Sequence, residues 1–438
     1  MMHLKHPLKD IVDMQKNGKP TGIYSICSAN EYVIEAAMEK ALVTNTPVLI
    51  EATANQVNQF GGYTGMRPAD FRDFVLSIAR RTGFPIDNII LGGDHLGPLT
   101  WKDEKADTAM EKAAELIRQY VLAGFTKIHI DTSMHLADDA PDVRLDTGVI
   151  ARRGASLCQA AVEAFAVLLR PQPDAIPPVY VIGSEVPIPG GSQEEEDGLQ
   201  VTKAADFEET VRVYKSEFEK CGLTSTWENV IAVVVQPGVE FGDEVVHEYD
   251  RERAKALVSS LSKFPGMVFE GHSTDYQTAE KLRQMVEDGI AILKVGPALT
   301  FALREGLFAL AFMERMLFEG KRDMRLSNFI ETLDNVMIDN PDNWKKHYHG
   351  SDEKIVFARR FSLSDRCRYY LPVLEVADSI KLLISNLRTV KIPLTLISQF
   401  MPIQYARIRS GSLENDPEAL LKDRVTNCIE DYIYATSQ

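Results

Sequence analysis

Short apolar runs, rich in β-branched residues, recur along the first three hundred residues and alternate with longer segments of helical composition. This alternation predicts parallel strands joined by helical crossovers. Val230–Val235 reads VIAVVV, the continuous apolar pattern typical of a strand buried on both faces. The predicted strands are Gly22–Cys27, Pro47–Glu51, Asn88–Gly92, Thr126–Asp131, Val179–Gly183, Val230–Val235, Met267–Glu270 and Ala291–Val295.

The number of these units selects the fold. Eight strand–helix units over about 275 residues match a (β/α)8 TIM barrel. The alternative is a doubly wound open sheet, whose dinucleotide-binding form carries GxGxxG after its first strand. Here the first strand continues into Cys27-Ser28-Ala29-Asn30 instead. We therefore predict an α/β protein with a TIM barrel over residues 20–310.

Residues 311–438 differ in character, because helical segments dominate and aromatic and basic clusters interrupt them. We predict a mostly helical C-terminal extension packed on the barrel. Its expected helices include Leu307–Phe318, Ser327–Asn335, Val376–Leu387 and Pro417–Tyr434. One low-complexity stretch, Pro189–Gly198, is expected to form a solvated acidic loop after the fifth strand.

Charge and cysteine content narrow the class of protein. Lys and Arg number 48 against 63 Asp and Glu, and the formal net charge is −15, which argues against a nucleic-acid binder. The five cysteines are scattered and form no CxxC pair, as in a reducing compartment. Neither a signal peptide nor an apolar run of about 18 residues is found, so we expect a cytoplasmic protein without a membrane span.

Polar and ionisable residues follow nearly every predicted strand. In a TIM barrel the chemistry lies at these strand ends. Helix N-caps explain an isolated Ser or Thr, but burying many ionisable groups together is costly unless they pair or bind a ligand. We expect a functional pocket there, with substrate-binding candidates at Asn55, Gln56, Asp131, Gln236, Asp275, Lys294 and Gly296.

Histidines and carboxylates at the strand ends are suitable ligands for a divalent cation such as Zn²⁺, Mn²⁺ or Mg²⁺. His95 and His272 are the strongest candidates, and Glu185 and Glu240 are plausible further ligands. His129 alternates with apolar residues inside its strand, as a core histidine does, and is not among the expected ligands.

Two carboxylates are candidates for proton transfer. Asp94 directly precedes His95, so one residue could hold a metal while the other moves a proton. Adjacent residues on a regular strand face opposite sides, and both reach the pocket only if a turn intervenes. Glu51, at the end of the second strand, is the rival.

An anionic substrate has two candidate contacts. Backbone amides of the Lys294–Pro297 turn could bind a phosphate at the start of the following helix. Arg366, within Ser364–Tyr370, could add a guanidinium. No GxxxxGK[ST] motif occurs, which disfavours a P-loop NTPase.

Several long motifs resemble one family, the so-called non-catalytic subunit of class II D-tagatose-1,6-bisphosphate aldolase, and the similarity extends over nearly the whole chain. The motifs are Glu51–Gly65 (EATANQVNQFGGYTG), Ile90–Pro98 (ILGGDHLGP), Gln236–Phe241 (QPGVEF), Gly271–Gln277 (GHSTDYQ), Ile292–Arg304 (ILKVGPALTFALR), Ser364–Tyr370 (SDRCRYY) and Ile397–Pro402 (ISQFMP).

The resemblance implies a role in galactitol and N-acetylgalactosamine catabolism, a phosphorylated ketose as substrate, and a separate catalytic aldolase subunit as partner in a homo- or hetero-oligomer. Catalytic class II aldolases are metal-dependent barrels with an Asp-His pair at the third strand. Asp94-His95 looks like that pair, with Asp94 moving a proton and His95 binding the metal, and His272 looks like a second ligand. Glu240 stands where an aldolase would have a histidine, which is a departure from the pattern.

The same resemblance leaves an alternative. Related family members act alone as D-tagatose 6-phosphate 4-epimerases and form D-fructose 6-phosphate. Because C4 is not adjacent to the C2 carbonyl, enolisation cannot invert it, whereas retro-aldol cleavage of C3–C4 and recondensation can. The accessory-subunit and the epimerase hypotheses both remain open at this point.

Overall fold

The computed structural model describes residues 5–140, 143–184, 186, 199–321 and 323–437. The predicted acidic loop Pro189–Gly198 and the candidate ligand Glu185 lie outside these residues. No helix among the described residues is long and apolar enough to cross a membrane.

The predicted TIM barrel is confirmed, since eight parallel strands close on themselves. Val230–Val235 is a strand with the predicted bounds, and the other predicted runs each overlap one strand. Around the barrel the strand order is β1-β10-β9-β6-β5-β4-β3-β2, and β7 and β8 form a separate antiparallel hairpin. The strands are β1 (Ile23–Ile26), β2 (Val48–Thr53), β3 (Ile89–Leu96), β4 (Lys127–Ile130), β5 (Val179–Ile182), β6 (Val230–Val235), β7 (Glu240–Phe241), β8 (Val246–His247), β9 (Val268–Gly271) and β10 (Ile290–Val295).

Helices separate the barrel strands as the sequence predicts. Their starts follow ordinary capping chemistry: the side chain of Asn30 accepts hydrogen bonds from the amides of Tyr32 and Val33. The barrel helices are α2 (Glu31–Thr44), α3 (Pro68–Thr82), α4 (Ala106–Leu122), α5 (Thr147–Leu168), α6 (Ala204–Lys220), α7 (Arg251–Ser260), α8 (Ala279–Glu287) and α9 (Pro297–Phe318).

A helix that the sequence analysis did not predict, α1 (Pro7–Lys16), covers the N-terminal end of the barrel. Its buried residues Leu8 and Val12 pack against inward-facing strand residues that include Leu49, Val268 and Ile292. The start of the chain therefore seals one end of the barrel with apolar side chains.

The C-terminal extension is helical, as predicted. The helix α9 is continuous across residue 310, the predicted border between barrel and extension. The helix α15 returns to the barrel and packs on α2, α8 and α9, so the extension shares the core of the barrel. The extension contains α10 (Phe329–Asp339), α11 (Asp352–Phe361), α12 (Leu374–Arg388), α13 (Leu394–Phe400), α14 (Pro402–Ser410) and α15 (Pro417–Thr436).

Candidate metal and substrate site

A pocket of about 410 Å³ opens at the carboxyl ends of the barrel strands, where TIM barrels carry their sites. The barrel supplies its floor, and the extension supplies part of its wall. The floor includes Asp94, His95, His272 and Lys294, and the wall includes His347, Arg366 and Arg368.

An irregularity in β3 brings both Asp94 and His95 to the pocket. The register between β3 and β4 shifts between Gly93 and Leu96, and His95 has a left-handed backbone with φ of 48°. Such a bulge turns a side chain that would otherwise face the helices. Gly97 is needed beside it, because a Cβ there would lie 1.7 Å from the backbone oxygen of Asp131.

Three histidines converge at the floor of the pocket. The rings of His95, His129 and His272 lie 4.9 to 5.1 Å apart between centroids. Together with Asp94, each offers a potential ligand atom, and these four atoms lie within 4.8 Å of one another. We call these four buried residues the histidine cluster.

Each histidine of the cluster has one ring nitrogen close to a carboxylate. This arrangement orients the ring and leaves the other nitrogen available as a ligand. The second nitrogen of His129, Nε2, is buried without a hydrogen-bond partner in the described part of the chain. The three contacts are His95 Nδ1 to Asp131 Oδ2 at 2.8 Å, His129 Nδ1 to Asp94 Oδ1 at 2.9 Å, and His272 Nε2 to Glu270 Oε1 at 2.9 Å.

A second layer of charges, which we call the basal network, lies beneath the cluster and consists of Glu51, Lys127, Glu270 and Lys294. Lys127 Nζ lies 2.8 Å from Glu51 Oε1 and 2.7 Å from Glu270 Oε2. Lys294 Nζ lies 2.8 Å from Glu51 Oε2 and 3.0 Å from Asp94 Oδ1, as an ion pair rather than an aligned hydrogen bond.

The buried carboxylates around the histidine cluster and the basal network outnumber the buried ammonium groups, which favours binding of a divalent cation. The carboxylates of Glu51, Asp94, Asp131 and Glu270 face the two ammonium groups of Lys127 and Lys294. With all three histidines in the neutral form that binds a metal, two negative charges remain in this buried set. Without a metal, burial is outweighed by Asp94 and Asp131, which raise the pKa of His95, so a proton on this ring offsets part of that charge. Uncompensated buried charge is costly. The donor set and the charge balance therefore fit a divalent cation at the cluster.

Electrostatics keep Asp94 and Asp131 ionised. Burial alone would raise the pKa of Asp94, but the charges of His95 and Lys294 and a hydrogen bond from His129 lower it well below its usual range. Burial is likewise outweighed at Asp131, where His95 lowers the pKa to about 2. Burial lowers the pKa of His272 to about 4, so this ring is neutral at pH 7, as a metal ligand must be.

The structure places several predicted substrate residues at the pocket. Asn55 and Gln56 line it, and Gln56 Oε1 accepts a hydrogen bond from the amide of Thr53. Asp131 instead orients His95 and accepts hydrogen bonds from Ser133. Lys294 lines the pocket but is engaged with Glu51 and Asp94.

The expected phosphate site at the start of α9 is already occupied. The amides of Gly296 and Ala298 both donate to Asp275 Oδ1, at 2.9 and 2.8 Å. Asp275 is fully buried, which raises its pKa to about 6 despite these two hydrogen bonds. The expectation that this turn binds a phosphate is therefore corrected: the turn binds a side chain of the protein itself.

Two further candidates lie apart from the histidine cluster. Gln236 Oε1 accepts hydrogen bonds from the amides of Gly238 and Val239, which stabilises its own loop. Glu240 accepts a hydrogen bond from the amide of Phe241 and is not in the group of described residues that could share one ion. His129, in β4, is in that group instead.

The residue that sequence reasoning missed is His129. The sequence did contain an indication. Alternate residues of a strand face the same side, and His129 follows Lys127 by two positions, so both side chains enter the interior of the barrel. A strand of a TIM barrel that carries two ionisable residues at this spacing directs both inward.

Comparison with known proteins identifies close relatives. The family model described as "D-tagatose-1,6-bisphosphate aldolase subunit GatZ/KbaZ-like" matches residues 8–437. The D-tagatose-1,6-bisphosphate aldolase subunit GatZ of Klebsiella pneumoniae subsp. pneumoniae is 50% identical over 430 residues, which cover 98% of this chain and 99% of that protein. The protein of the same name from Salmonella dublin is 48% identical over 425 residues, covering 97% and 98% of the two chains.

A solved structure is also similar. The crystal structure described as a probable tagatose 6 phosphate kinase from Sinorhizobium meliloti 1021 has a TM-score of 0.86 and 47% sequence identity. The match covers 94% of this chain and 100% of that one.

Proposed function

The chain belongs to the GatZ/KbaZ-like family of D-tagatose-1,6-bisphosphate aldolase subunits, and from this premise we propose that its pocket binds a phosphorylated ketose beside a divalent cation. The observation that carries the proposal is the histidine cluster, which combines three oriented imidazoles with a buried carboxylate at the floor of the pocket. A pure scaffold has no need of such costly buried groups.

His95, His129 and His272 are the residues that would hold the cation, with Asp94 beside them. Zn²⁺, Mn²⁺ and Mg²⁺ remain the candidates, and the three imidazoles favour Zn²⁺ or Mn²⁺ over Mg²⁺. When bound, the cation supplies positive charge near a substrate carbonyl oxygen. Asp131 and Glu270 keep two of the rings in place through their contacts with His95 and His272.

Asp94 is the proposed proton-transfer group. It lines the pocket, whereas Glu51 is fully buried and its oxygens are engaged by Ser25, Lys127 and Lys294. An ionised Asp94 can accept the proton of the ketose C4 hydroxyl. The C3–C4 bond then breaks, the electron pair of that bond moves toward the C2 carbonyl, and C4 becomes an aldehyde carbon.

The fate of the aldehyde fragment decides between two activities. If it leaves and the enediolate left behind takes up a proton at C3, the net reaction is aldol cleavage, and a partner catalytic aldolase subunit would share this chemistry with the chain. If it rotates and the C3–C4 bond forms again, the protonated carboxyl of Asp94 returns the proton and C4 is inverted. The presence of all proposed groups within one chain favours the second candidate, a stand-alone D-tagatose 6-phosphate 4-epimerase.

The test uses the purified full-length chain, first freed of metal with a chelator and then loaded with Zn²⁺ or Mn²⁺. We expect about one bound metal ion per chain by elemental analysis, and none in a variant with both His129→Ala and His272→Ala. Tagatose 6-phosphate is then supplied, and fructose 6-phosphate and triose phosphate are measured. Formation of either product without another subunit supports catalysis by this chain.

The accessory role is tested in the same experiment by adding a catalytic aldolase subunit together with tagatose 1,6-bisphosphate. Activity that appears only in the mixture, and that survives loss of the histidines, would refute a catalytic role for this pocket. Failure of the chain to retain any divalent metal would refute the metal site itself.

A further inference from the structure

A substrate phosphate in the pocket needs a positively charged group or free amides to bind it. Two candidate groups, the amides at the start of α9 and the ammonium of Lys294, already bind carboxylates of the protein. The amides of Gly296 and Ala298 bind Asp275. Lys294 is paired with Glu51 and Asp94 at the floor. A phosphate bound in this pocket therefore has to find its positive charge elsewhere on the wall.

Arg366, in the extension, carries a guanidinium that has no ion-pair partner among the described residues. It lines the pocket and is 6% exposed, and its Nε is buried with no hydrogen-bond partner. Within the described part of the chain, its side chain makes no ion pair. Burial lowers the pKa of this guanidinium. A buried guanidinium is costly unless an anion contacts it, and among the described residues Asp243 acts on it only through its charge, without an ion-pair contact.

The segment that carries Arg366, which we call the arginine loop (Ser364–Tyr370), is fixed to the barrel. Asp365 has a left-handed backbone with φ of 47°, and its carboxylate accepts a hydrogen bond from Thr300 at 2.6 Å and lies 3.3 Å from Arg304. Both of these partners belong to α9. The amide of Arg366 itself donates to the hydroxyl of Tyr348 at 3.2 Å. The position of the guanidinium is therefore set by the fold.

Two neighbours complete a polar wall. Arg368 is partly buried, donates to the backbone oxygen of Asp365 at 2.9 Å and to the hydroxyl of Tyr369 at 3.0 Å, and also lines the pocket. His347 lines the pocket with its Nδ1 buried and unpartnered among the described residues. Burial and the two arginines lower the pKa of His347 to about 4, so the ring is neutral at pH 7 and can donate one hydrogen bond.

We infer that the arginine loop and His347 form the phosphate-binding subsite of the pocket, with Arg366 as its main cationic contact. The C-terminal extension thereby supplies the group that recognises the phosphate monoester, while the barrel supplies the cluster that faces the sugar. The planar guanidinium can contact two phosphate oxygens at once. The identity of the sugar rests on the proposed function, but the affinity for a phosphate monoester does not.

The test measures binding of fructose 6-phosphate and of inorganic phosphate to the full-length protein by titration calorimetry, both without metal and with added Zn²⁺ or Mn²⁺. Arg366→Gln should weaken the binding of fructose 6-phosphate about 10- to 100-fold, the usual contribution of a charge-assisted hydrogen bond. Arg366→Lys should recover part of this affinity, because it restores the charge but not the planar fork. The matched control is Lys346→Gln, which removes one positive charge from an exposed neighbour of His347 and should change binding less than twofold.

Binding by Arg366→Gln within threefold of the unmodified protein would overturn the subsite, as would absence of any phosphate binding to the unmodified protein. His347→Gln is a second probe, expected to weaken binding about 5- to 10-fold through one lost hydrogen bond. Thermal unfolding without ligand establishes that each variant is folded.

The failures of the two proposals are distinguishable. If Arg366 controls phosphate binding but no tagatose 6-phosphate is converted under any metal, the subsite stands and the proposed chemistry falls. If turnover occurs and Arg366→Gln leaves KM unchanged, the chemistry stands and the subsite falls.

Discussion

The two ends of the barrel interior are built from the same strands but from opposite kinds of residue. At the N-terminal end, Leu8 and Val12 of α1 pack into an apolar layer. Toward the carboxyl ends of the strands, the interior holds the basal network and then the histidine cluster. Three strands change from one layer to the other within two residues: Leu49 to Glu51, Val268 to Glu270, and Ile292 to Lys294.

The difference shows how one scaffold separates stability from chemistry. The apolar layer excludes water and stabilises the barrel through burial and close packing. The charged layers contribute less to stability, since desolvation offsets much of the attraction between buried charges. They hold the rings and carboxylates in fixed positions instead, which is what a binding site requires.

The largest expected effect is at the pocket. Asp94→Asn keeps the shape of the side chain but cannot exchange a proton at neutral pH. We expect turnover to fall about 10²- to 10⁴-fold while the protein remains folded, with some loss of thermal stability because the ion pair with Lys294 is broken. Turnover is measured as fructose 6-phosphate formed from tagatose 6-phosphate. Asp107→Asn, on the exposed face of α4, is the control and should be fully active.

Near-normal turnover by Asp94→Asn would move the proton-transfer role to another carboxylate. Loss of the folded state in this variant would instead show that Asp94 belongs to the stabilising layers, against the separation described above.

The next effect tests the basal network. Lys127→Met leaves Glu51 and Glu270 without their shared cation, and breaking such a buried pair costs about 3–5 kcal/mol. Because Glu270 orients His272, metal affinity should also fall about 10- to 100-fold. Both are measured, the first by denaturant unfolding and the second by competition with a chelator. Lys255→Met, at an exposed pair with Glu252, should change stability by less than about 1 kcal/mol.

A substitution at the apolar N-terminal end of the barrel should lower stability without affecting metal binding. Leu8→Ala removes a buried side chain that is 1% exposed, at an expected cost of about 2–4 kcal/mol of unfolding free energy. Metal content and KM should not change, because α1 lies at the end of the barrel away from the cluster. A loss of bound metal in this variant would contradict the independence of the two ends.

The smallest expected effect is a pH dependence of the unfolding free energy that arises from His6, at the apolar end of the barrel. Burial, followed by the charge of Lys9, lowers the pKa of His6 to about 4 from an ordinary value of 6.5. The unfolded chain therefore binds a proton at His6 before the folded chain does, and stability is lost as the pH falls from 6.5 toward 4. The loss is at most about 2 kcal/mol by pH 5.

His6→Asn isolates this contribution, because Asn retains the N-cap acceptor that His6 Nδ1 provides to the amide of Leu8. The unmodified protein should lose stability relative to this variant as the pH drops. Parallel stability curves for the two proteins between pH 7 and 4.5 would mean that His6 is already solvated.

Much of the fold could be predicted from the sequence, because the strands are apolar runs and a (β/α)8 repeat has few alternative topologies. The Asp94-His95 pair and His272 were found because strand ends are identifiable positions. The left-handed backbone at His95 could not be predicted, since it accompanies a close approach of Gly97 to Asp131, a residue distant in sequence that follows β4. Contacts between distant segments, such as α1 with the barrel interior, leave no local pattern.

The same limit applies to other candidates at the site. Glu240 follows β6 as a ligand from that strand would, but it lies in the β7–β8 hairpin and is not in the group of described residues that could share one ion. Asp275 resembles a pocket carboxylate in the sequence, and its role as the cap of α9 depends on where that helix begins in space. Arg366 lies 70 or more residues from every strand of the barrel, so its approach to the pocket was visible only in the folded structure.

The packing of α15 has a consequence for synthesis of the chain. The backbone amide of Gly22 donates to the oxygen of Thr436, and the hydroxyl of Tyr432 donates to the oxygen of Thr274. The first strand of the barrel therefore meets its covering helix only when α15 has been synthesised and has left the ribosome. Until then β1, α2 and α8 expose apolar surface, and such nascent intermediates are prone to aggregation and to capture by chaperones. Ribosomes that stall before α15 should release chains that are degraded rather than partly active barrels.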